Sequence, residues 1–270
     1  FDQENKKLYI YLYFINPDRP DEEEFYVPRV ITQTEIQRLG KETKVRVFPE
    51  INNGGNKNKN DVAIALAINL CINGGTTIFC GKKQTADKIL ERVLDIETRG
   101  YDISNIKKNT DNREIEKISH LIEKHFGTDN VYYLAAQKGA FAHHGGIPMG
   151  LRSSIEYAMQ KGAIQFLACT STLAQGVNLP IRYLIIPTVY QSKERIKVRD
   201  FQNLIGRAGR AGIYTEGSII LSETHVYSMR KDFFRQWKWL NYKELLNCNQ
   251  AEACTSELLA WLRVDDEMEE

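Results

Sequence analysis

Long apolar runs are missing from this sequence: none approaches the roughly 18 residues that a membrane-spanning helix needs. Any Cys-x-x-Cys pair is missing too, and no histidine cluster completes a zinc pattern. A G-x-x-x-x-G-K-[ST] segment is absent, so the chain has no P-loop with which to cradle a triphosphate. Charge of one sign is not in excess. Lys and Arg number 36 against 35 Asp and Glu, a net +1, which excludes the simplest nucleic-acid signature, a wholly basic domain. Cysteine is sparse: Cys71, Cys80, Cys169, Cys248 and Cys254. Cys80 and Cys169 end apolar runs and read as buried free thiols, which implies a reducing, intracellular (cytoplasmic) setting. No signal-peptide pattern opens the chain, which starts at Phe1, and the expectation is a piece of a longer protein. What is present is an ordinary folding composition, 42% hydrophobic and 26% charged, which excludes intrinsic disorder.

Three stretches differ in pattern. In the first, residues 1–60, Leu8–Ile15 (LYIYLYFI) is aromatic and β-branched like a strand, and Phe25–Ile31 and Lys44–Phe48 are weaker strand patterns. Asp21–Glu24 follows a Pro-rich turn and reads as a charged loop. Asn52–Asn60 (NNGGNKNKN) holds no apolar residue and reads as an exposed loop. In the second stretch, residues 61–225, strands alternate with helices. The spacing predicts strands at Thr76–Cys80, Ala140–Ala142, Ile164–Cys169, Tyr183–Ile186 and Ser218–Leu221. Helices are predicted at Val62–Cys71, Thr85–Leu94, Arg113–His125 and Leu151–Met159. Such alternation means βαβ crossovers, a parallel sheet and an α/β domain. The third stretch, residues 226–270, carries helical patterns at Phe233–Leu246 and Ser256–Val264 and ends in an acidic tail.

Ligands of parallel sheets sit at the carboxyl ends of the strands, so the residues there matter most. After the strand ending at Cys169 comes Thr170-Ser-Thr-Leu-Ala-Gln-Gly-Val-Asn178-Leu-Pro180. Its hydroxyls and amides can donate to phosphate oxygens, Gly176 allows close backbone approach, and Asn178 can hydrogen-bond a hydroxyl. The alternative is that Thr170 and its neighbours cap a helix. In Asp200–Gly212, read at 100° per residue, Phe201, Leu204, Ile205 and Ala208 form an apolar stripe. Asn203, Arg207 and Arg210 then share the opposite face. Three glycines within seven residues mark either close backbone approach to an anion or the end of the helix at a glycine cap. Two guanidiniums aimed together suit a triphosphate, and the alternative is a solvated basic face. His143-His-Gly-Gly-Ile-Pro148 lies just past another strand. It lacks the ligands of a zinc site, and Gly145 and Gly146 can offer backbone amides to a sugar-phosphate chain, with Arg152 clamping another phosphate.

HHGGIP, TSTLAQGVNLP and QNLIGRAGRAG, in this order, resemble the second RecA-like lobe of superfamily 2 helicases, most closely the superkiller-like (Ski-type) DExH branch. The resemblance spans about Asp61 to Leu221 and implies a RecA-like three-layer α/β fold. It implies that Lys82, His144, Gly145, Arg152 and Thr170 contact a nucleic-acid backbone. It implies that Gly176, Asn178 and Asn203 face a nucleotide, and that Arg207 and Arg210 are the arginines reaching the γ-phosphate. Asn203 stands where many relatives have Gln, one methylene longer, and Asn178 where other branches have Asp. The lobe that binds ATP and Mg²⁺ and supplies the water-activating carboxylate is missing. The resemblance therefore implies a partner first lobe, a single-stranded or tailed DNA or RNA substrate, no membrane partner, and no ATP hydrolysis by this piece alone. Two other readings share the motifs: a degenerate lobe kept as a nucleic-acid or protein scaffold, and a lobe of a duplex-DNA translocase. The near-neutral sum hides local charge, since Lys193–Arg199 (KERIKVR) holds four bases and one acid.

Overall fold

The computed structural model describes residues 9–13, 26–51, 56–170, 179–191, 194–209, 216–247, 249 and 251. Its centre is a five-stranded, wholly parallel sheet. The strands are β5 (Thr76–Phe79), β6 (Ala140–His143), β7 (Phe166–Cys169), β8 (Tyr183–Ile186) and β11 (Ser218–Leu221), in the order β11-β8-β5-β7-β6. The register aligns Thr76 with Phe166 and Tyr183, and Ala140 with Phe166. Every residue of β5, β6 and β7 is buried, as parallel strands covered on both faces must be.

The helices are α1 (Asn56–Leu70), α2 (Lys83–Thr98), α3 (Asn112–Phe126), α4 (Val131–Gln137), α5 (Met149–Gln160), α6 (Val198–Ile205), α7 (Thr224–Ser228) and α8 (Trp237–Leu246). The step from β5 to β6 runs toward one edge of the sheet; the steps from β6 to β7 and from β8 to β11 run toward the other. Right-handed crossovers then place α2 and α5 on opposite faces, giving three layers. This is a RecA-like α/β fold. On α2, Ala86, Ile89, Leu90, Val93 and Ile96 are buried at helical spacing. Asp111 caps α3 by accepting from the Arg113 amide at 2.9 Å, and Gly127 ends it at φ +81°, a backbone region that glycine alone enters cheaply.

The N-terminal strands are β1 (Tyr9–Tyr13) paired with β2 (Tyr26–Thr32), and β3 (Thr34–Ile36) paired with β4 (Arg46–Phe48). Ile31, Ile36 and Phe48 belong to the same core cluster as the sheet. Phe48 is fully buried and meets Tyr101 edge-on at 4.6 Å. Charge reinforces this seam. Arg99 donates to both Glu42 oxygens, at 2.7 and 3.2 Å, and to Asp95; Arg92 bridges Asp61 and Asp95.

Several local expectations need correction. Asn52–Asn60 is not wholly loop: α1 begins at Asn56, and the polar Asn-Lys stretch is drawn into helix by the apolar run after it. α2 extends two residues earlier and four later than its periodicity suggests. α4 and a short hairpin of β9 (Tyr190–Gln191) and β10 (Glu194–Arg195) carry no strong periodic signal and are additions. Phe233–Gln236 is a turn, so the helix there is only Trp237–Leu246. The charged Asp21–Glu24, the candidate helix Ser256–Val264 and the acidic tail lie outside the described residues.

Cys71, Cys80 and Cys169 are free and buried. Burial pushes the Cys71 thiol up to about 12 and Cys80 and Cys169 up as well, so these are inert packing groups. No helix among the described residues is long and apolar enough to cross a membrane.

Candidate functional site

All five strands end on one edge of the sheet, and the residues just past them converge there. β5, β7 and β6 are neighbours, so Lys82 after β5, Thr170 after β7, and His144 and Gly145 after β6 meet along one stretch of that edge. Arg152 joins them from the first turn of α5. Lys82 is exposed and precedes α2 as its cap residue, and the Gly145 backbone is exposed. Thr170 is buried, and its amide donates to the His143 carbonyl at 3.1 Å, prolonging the β6–β7 ladder by one bond. Arg152 is half-buried, and its Nε, fully shielded from solvent, has no hydrogen-bond partner among the described residues.

The two histidines turn inward. His143 Nε2 lies 2.6 Å from Glu156 Oε1 on α5. Burial pushes its imidazole below the usual range, the Glu156 carboxylate opposes that shift, and Arg152 adds to it. His144 is the first correction among the site residues. Its side chain is only 3% exposed, so any contact of this residue with a nucleic-acid strand falls to its backbone. The Gly146 amide donates to its Nδ1 at 3.1 Å, which leaves the proton on Nε2, facing Asp87 Oδ1 at 3.0 Å. Tyr132 also donates to that Asp87 oxygen, at 2.6 Å. The ring is a brace for the Gly145–Gly146 turn. Asp87, Tyr132 and Glu156 are site residues that motif reading misses. They lie on α2, α4 and α5, outside the motif: Asp87 is 57 residues and Tyr132 12 residues from His144, and Glu156 13 residues from His143; the one local signal is Asn130, whose side chain caps α4 and so sets Tyr132.

The second correction concerns Asn203 and Arg207. The helix expected through Ala208 stops at Ile205, with Gly206 as its C-cap. Phe201 and Leu204 are buried as the stripe predicts, and Asn203 is exposed. Arg207 lies beyond the helix, half-buried in a turn, so the two do not share a helical face. Ala208 bridges Ile181, and the Gly209 amide donates to the Ile181 carbonyl at 2.8 Å. Ile181 precedes β8, so the Arg207 turn sits at the amino end of the sheet, opposite the Lys82–Thr170 group. Gly209 has φ +72°, and a Cβ there would strike the backbone of Glu216 and Gly217. The glycines here serve a cap and a backbone-to-backbone crossing. Gly176, Asn178 and Arg210 lie outside the described residues.

A parallel sheet of this order, with polar donors gathered at the carboxyl ends of its strands and an arginine-bearing turn at the other edge, defines a RecA-like lobe. Residues 124–212 match the helicase conserved C-terminal domain. The chain is 33% identical over 164 residues to "Helicase POLQ-like" of Homo sapiens, covering 60% of this chain and 14% of that protein. It is 39% identical over 87 residues to "ATP-dependent DNA helicase Hel308" of Aeropyrum pernix, covering 31% of this chain and 12% of that protein. A longer, weaker likeness, 25% over 244 residues, covers 88% of this chain and 20% of "Hachiman protein HamB" of Bacillus cereus. The chain thus spans a fifth or less of the length of these relatives.

Proposed function

We propose that this chain is the second motor lobe of an ATP-dependent DNA or RNA helicase of superfamily 2, in its superkiller-like DExH branch, working against a first lobe in the same parent protein. One observation carries the reading: Lys82, the Gly145 amide region, Arg152 and Thr170 are gathered on neighbouring strand ends. An ammonium, backbone N–H groups and a guanidinium are the donors that phosphate oxygens accept from, and they carry no base information; Thr170, itself buried, extends the β6–β7 ladder beside them. A single strand lying along this edge is held by its backbone, with affinity that falls as salt rises. His144 contributes by holding the glycine turn in place.

The nucleotide belongs at the other edge. Arg207 reaches the γ-phosphate of ATP there as an arginine finger supplied in cis, an effect worth about 10³–10⁵ in rate; the resemblance assigns Arg210 the same task and gives Gly176, Asn178 and Asn203 the nucleotide. The exposed amide of Asn203 and the nearby Arg207 suit phosphate and hydroxyl oxygens. The resemblance implies that the first lobe binds the Mg²⁺ ion. With its two partners at opposite edges, the lobe can couple a change in the nucleotide cleft to a displacement of the strand.

The test uses the parent protein and this chain side by side. In the parent, Arg207→Ala with Arg210→Ala is expected to lower strand-stimulated ATP turnover by about 10³-fold or more while strand affinity holds. Unchanged turnover with weakened strand binding would reduce the arginines to a basic face and sink the reading. The chain alone is expected to hydrolyse no ATP, and robust turnover by it would be equally damaging.

A further inference from the structure

The segment after the sheet carries more aromatic surface than its packing uses. α8 buries Trp239, Tyr242 and Leu245 against the lobe. Its other side, with the turn before it, leaves Phe233 81% exposed, Phe234 87%, Trp237 53% and Leu240 47%. Asp232 sets this turn: its side chain accepts from the Phe234 amide at 3.0 Å, and its carbonyl accepts from the Gln236 amide at 2.8 Å. Phe233 and Phe234 stand edge to face, centroids 5.5 Å apart, with no other aromatic ring against either among the described residues. The inner face has an obvious purpose and the outer one does not. A monomer seldom leaves so much aromatic surface in water without a partner.

The charge around these rings points to the partner's chemistry. Arg230–Lys243 holds five bases, Arg230, Lys231, Arg235, Lys238 and Lys243, against a single acid, Asp232. Arg235 is 69% exposed and lies 3.7 Å from Asp232, Lys231 is exposed, and the Lys238 ammonium, which pairs with Glu223 at 3.2 Å, lies 5.7 Å over the Trp237 ring. Glu244, the next acid, is taken up by the two terminal guanidinium nitrogens of Arg195. Protein-docking faces are depleted in Lys at their core. Exposed rings interleaved with bases are instead how sequence-tolerant surfaces hold single-stranded nucleic acid: each base stacks on a ring, and the cations follow the phosphates.

We propose that Phe233, Phe234 and Trp237, with Lys231 and Arg235, form a second contact for single-stranded nucleic acid, separate from the strand-end group and made by stacking rather than by backbone donors alone. It rests on the reading of the lobe as a strand-binding motor, and extends the strand's path onto the segment after β11. The experiment uses this chain with fluorescein-labelled oligothymidylate. Phe233→Ser, Phe234→Ser and Trp237→Ser combined, at exposed positions, are expected to leave the melting temperature unchanged and to weaken binding roughly 5- to 150-fold, the loss of at least one stacked base. Binding is expected to quench the fluorescence of Trp237, and Trp237→Leu to remove that quench. Lys82→Ala with Arg152→Ala is the parallel arm. If the aromatic variant binds as tightly as the native chain while the Lys82/Arg152 variant does not, this inference falls and the proposed function stands. The converse result leaves the stacking surface and removes the strand-end site. A chain that binds no oligothymidylate overturns both. Loss of self-association on aromatic substitution, with strand affinity intact, makes the patch a protein interface and overturns the inference.

Discussion

At the residue scale, the site depends on groups that never touch a ligand. Asp87 accepts from both Tyr132 and His144, so Asp87→Ala removes their shared acceptor and leaves the two groups only each other, 3.2 Å apart. The expected cost is about 1–3 kcal/mol in urea unfolding, with strand affinity falling as the glycine turn loosens. His143 and His225 give the chain a pH signature, because burial lowers both below the ordinary value of 6.5. The unfolded chain takes up protons as pH drops through that value, while the folded one resists. Stability is therefore present above 6.5 and declines as pH falls toward the lowered folded values, by at most about 1.4 kcal/mol per pH unit for His143 and by less for the more exposed, solvent-screened His225. Glu42 and Asp102, held below the usual carboxylate range chiefly by an Arg99 hydrogen bond and the Ser104 amide respectively, lose their contribution only at more acid pH. Urea midpoints between about pH 7.5 and about pH 5.5 should fall for the native chain, and less steeply for His143→Gln. Little of this was legible in sequence: HHGGIP marks the turn, but nothing in it tells which histidine faces inward.

Elements matched their patterns where one periodicity ran unbroken. β8 and β11 stand at the bounds that their apolar runs predict, and α3 differs by one residue at each end. The pattern misled where glycine intervened. Extending a 100° stripe through Gly206 to Ala208 assumes a helix that the glycine caps instead. Gly209 and Gly217 lie backbone against backbone, so Gly217→Ala should force the two segments apart and lower the melting temperature; a chain that melts unchanged would mean that the crossing yields freely. β3 and β4 show the same limit from the other side. β3 is too short to announce itself and β4 shows only as the weaker Lys44–Phe48 pattern, yet Phe48→Ala is expected to cost about 3–5 kcal/mol in urea unfolding, because its ring is fully buried.

For the molecule as a whole, the change of pattern near residue 60 does not divide the core. Ile31, Ile36 and Phe48 sit in one cluster with the sheet, and Arg99 ties Glu42 to α2. Removing residues 1–30 is expected to leave a folded lobe, whereas removing residues 1–50 should lower the melting temperature by several degrees or more, as differential scanning calorimetry would show. The sequence by itself determined the alternation of strand and helix, and hence a parallel sheet, because apolar periodicity is a local property of the chain. It also determined the order of the three motifs, and with them the helicase resemblance. Only the tertiary structure decided which of those motif residues share an edge. Strand order brings Lys82, Gly145, Arg152 and Thr170 together and sends Arg207 to the far side, and strand order is set by packing between segments distant in the chain, which no local pattern records.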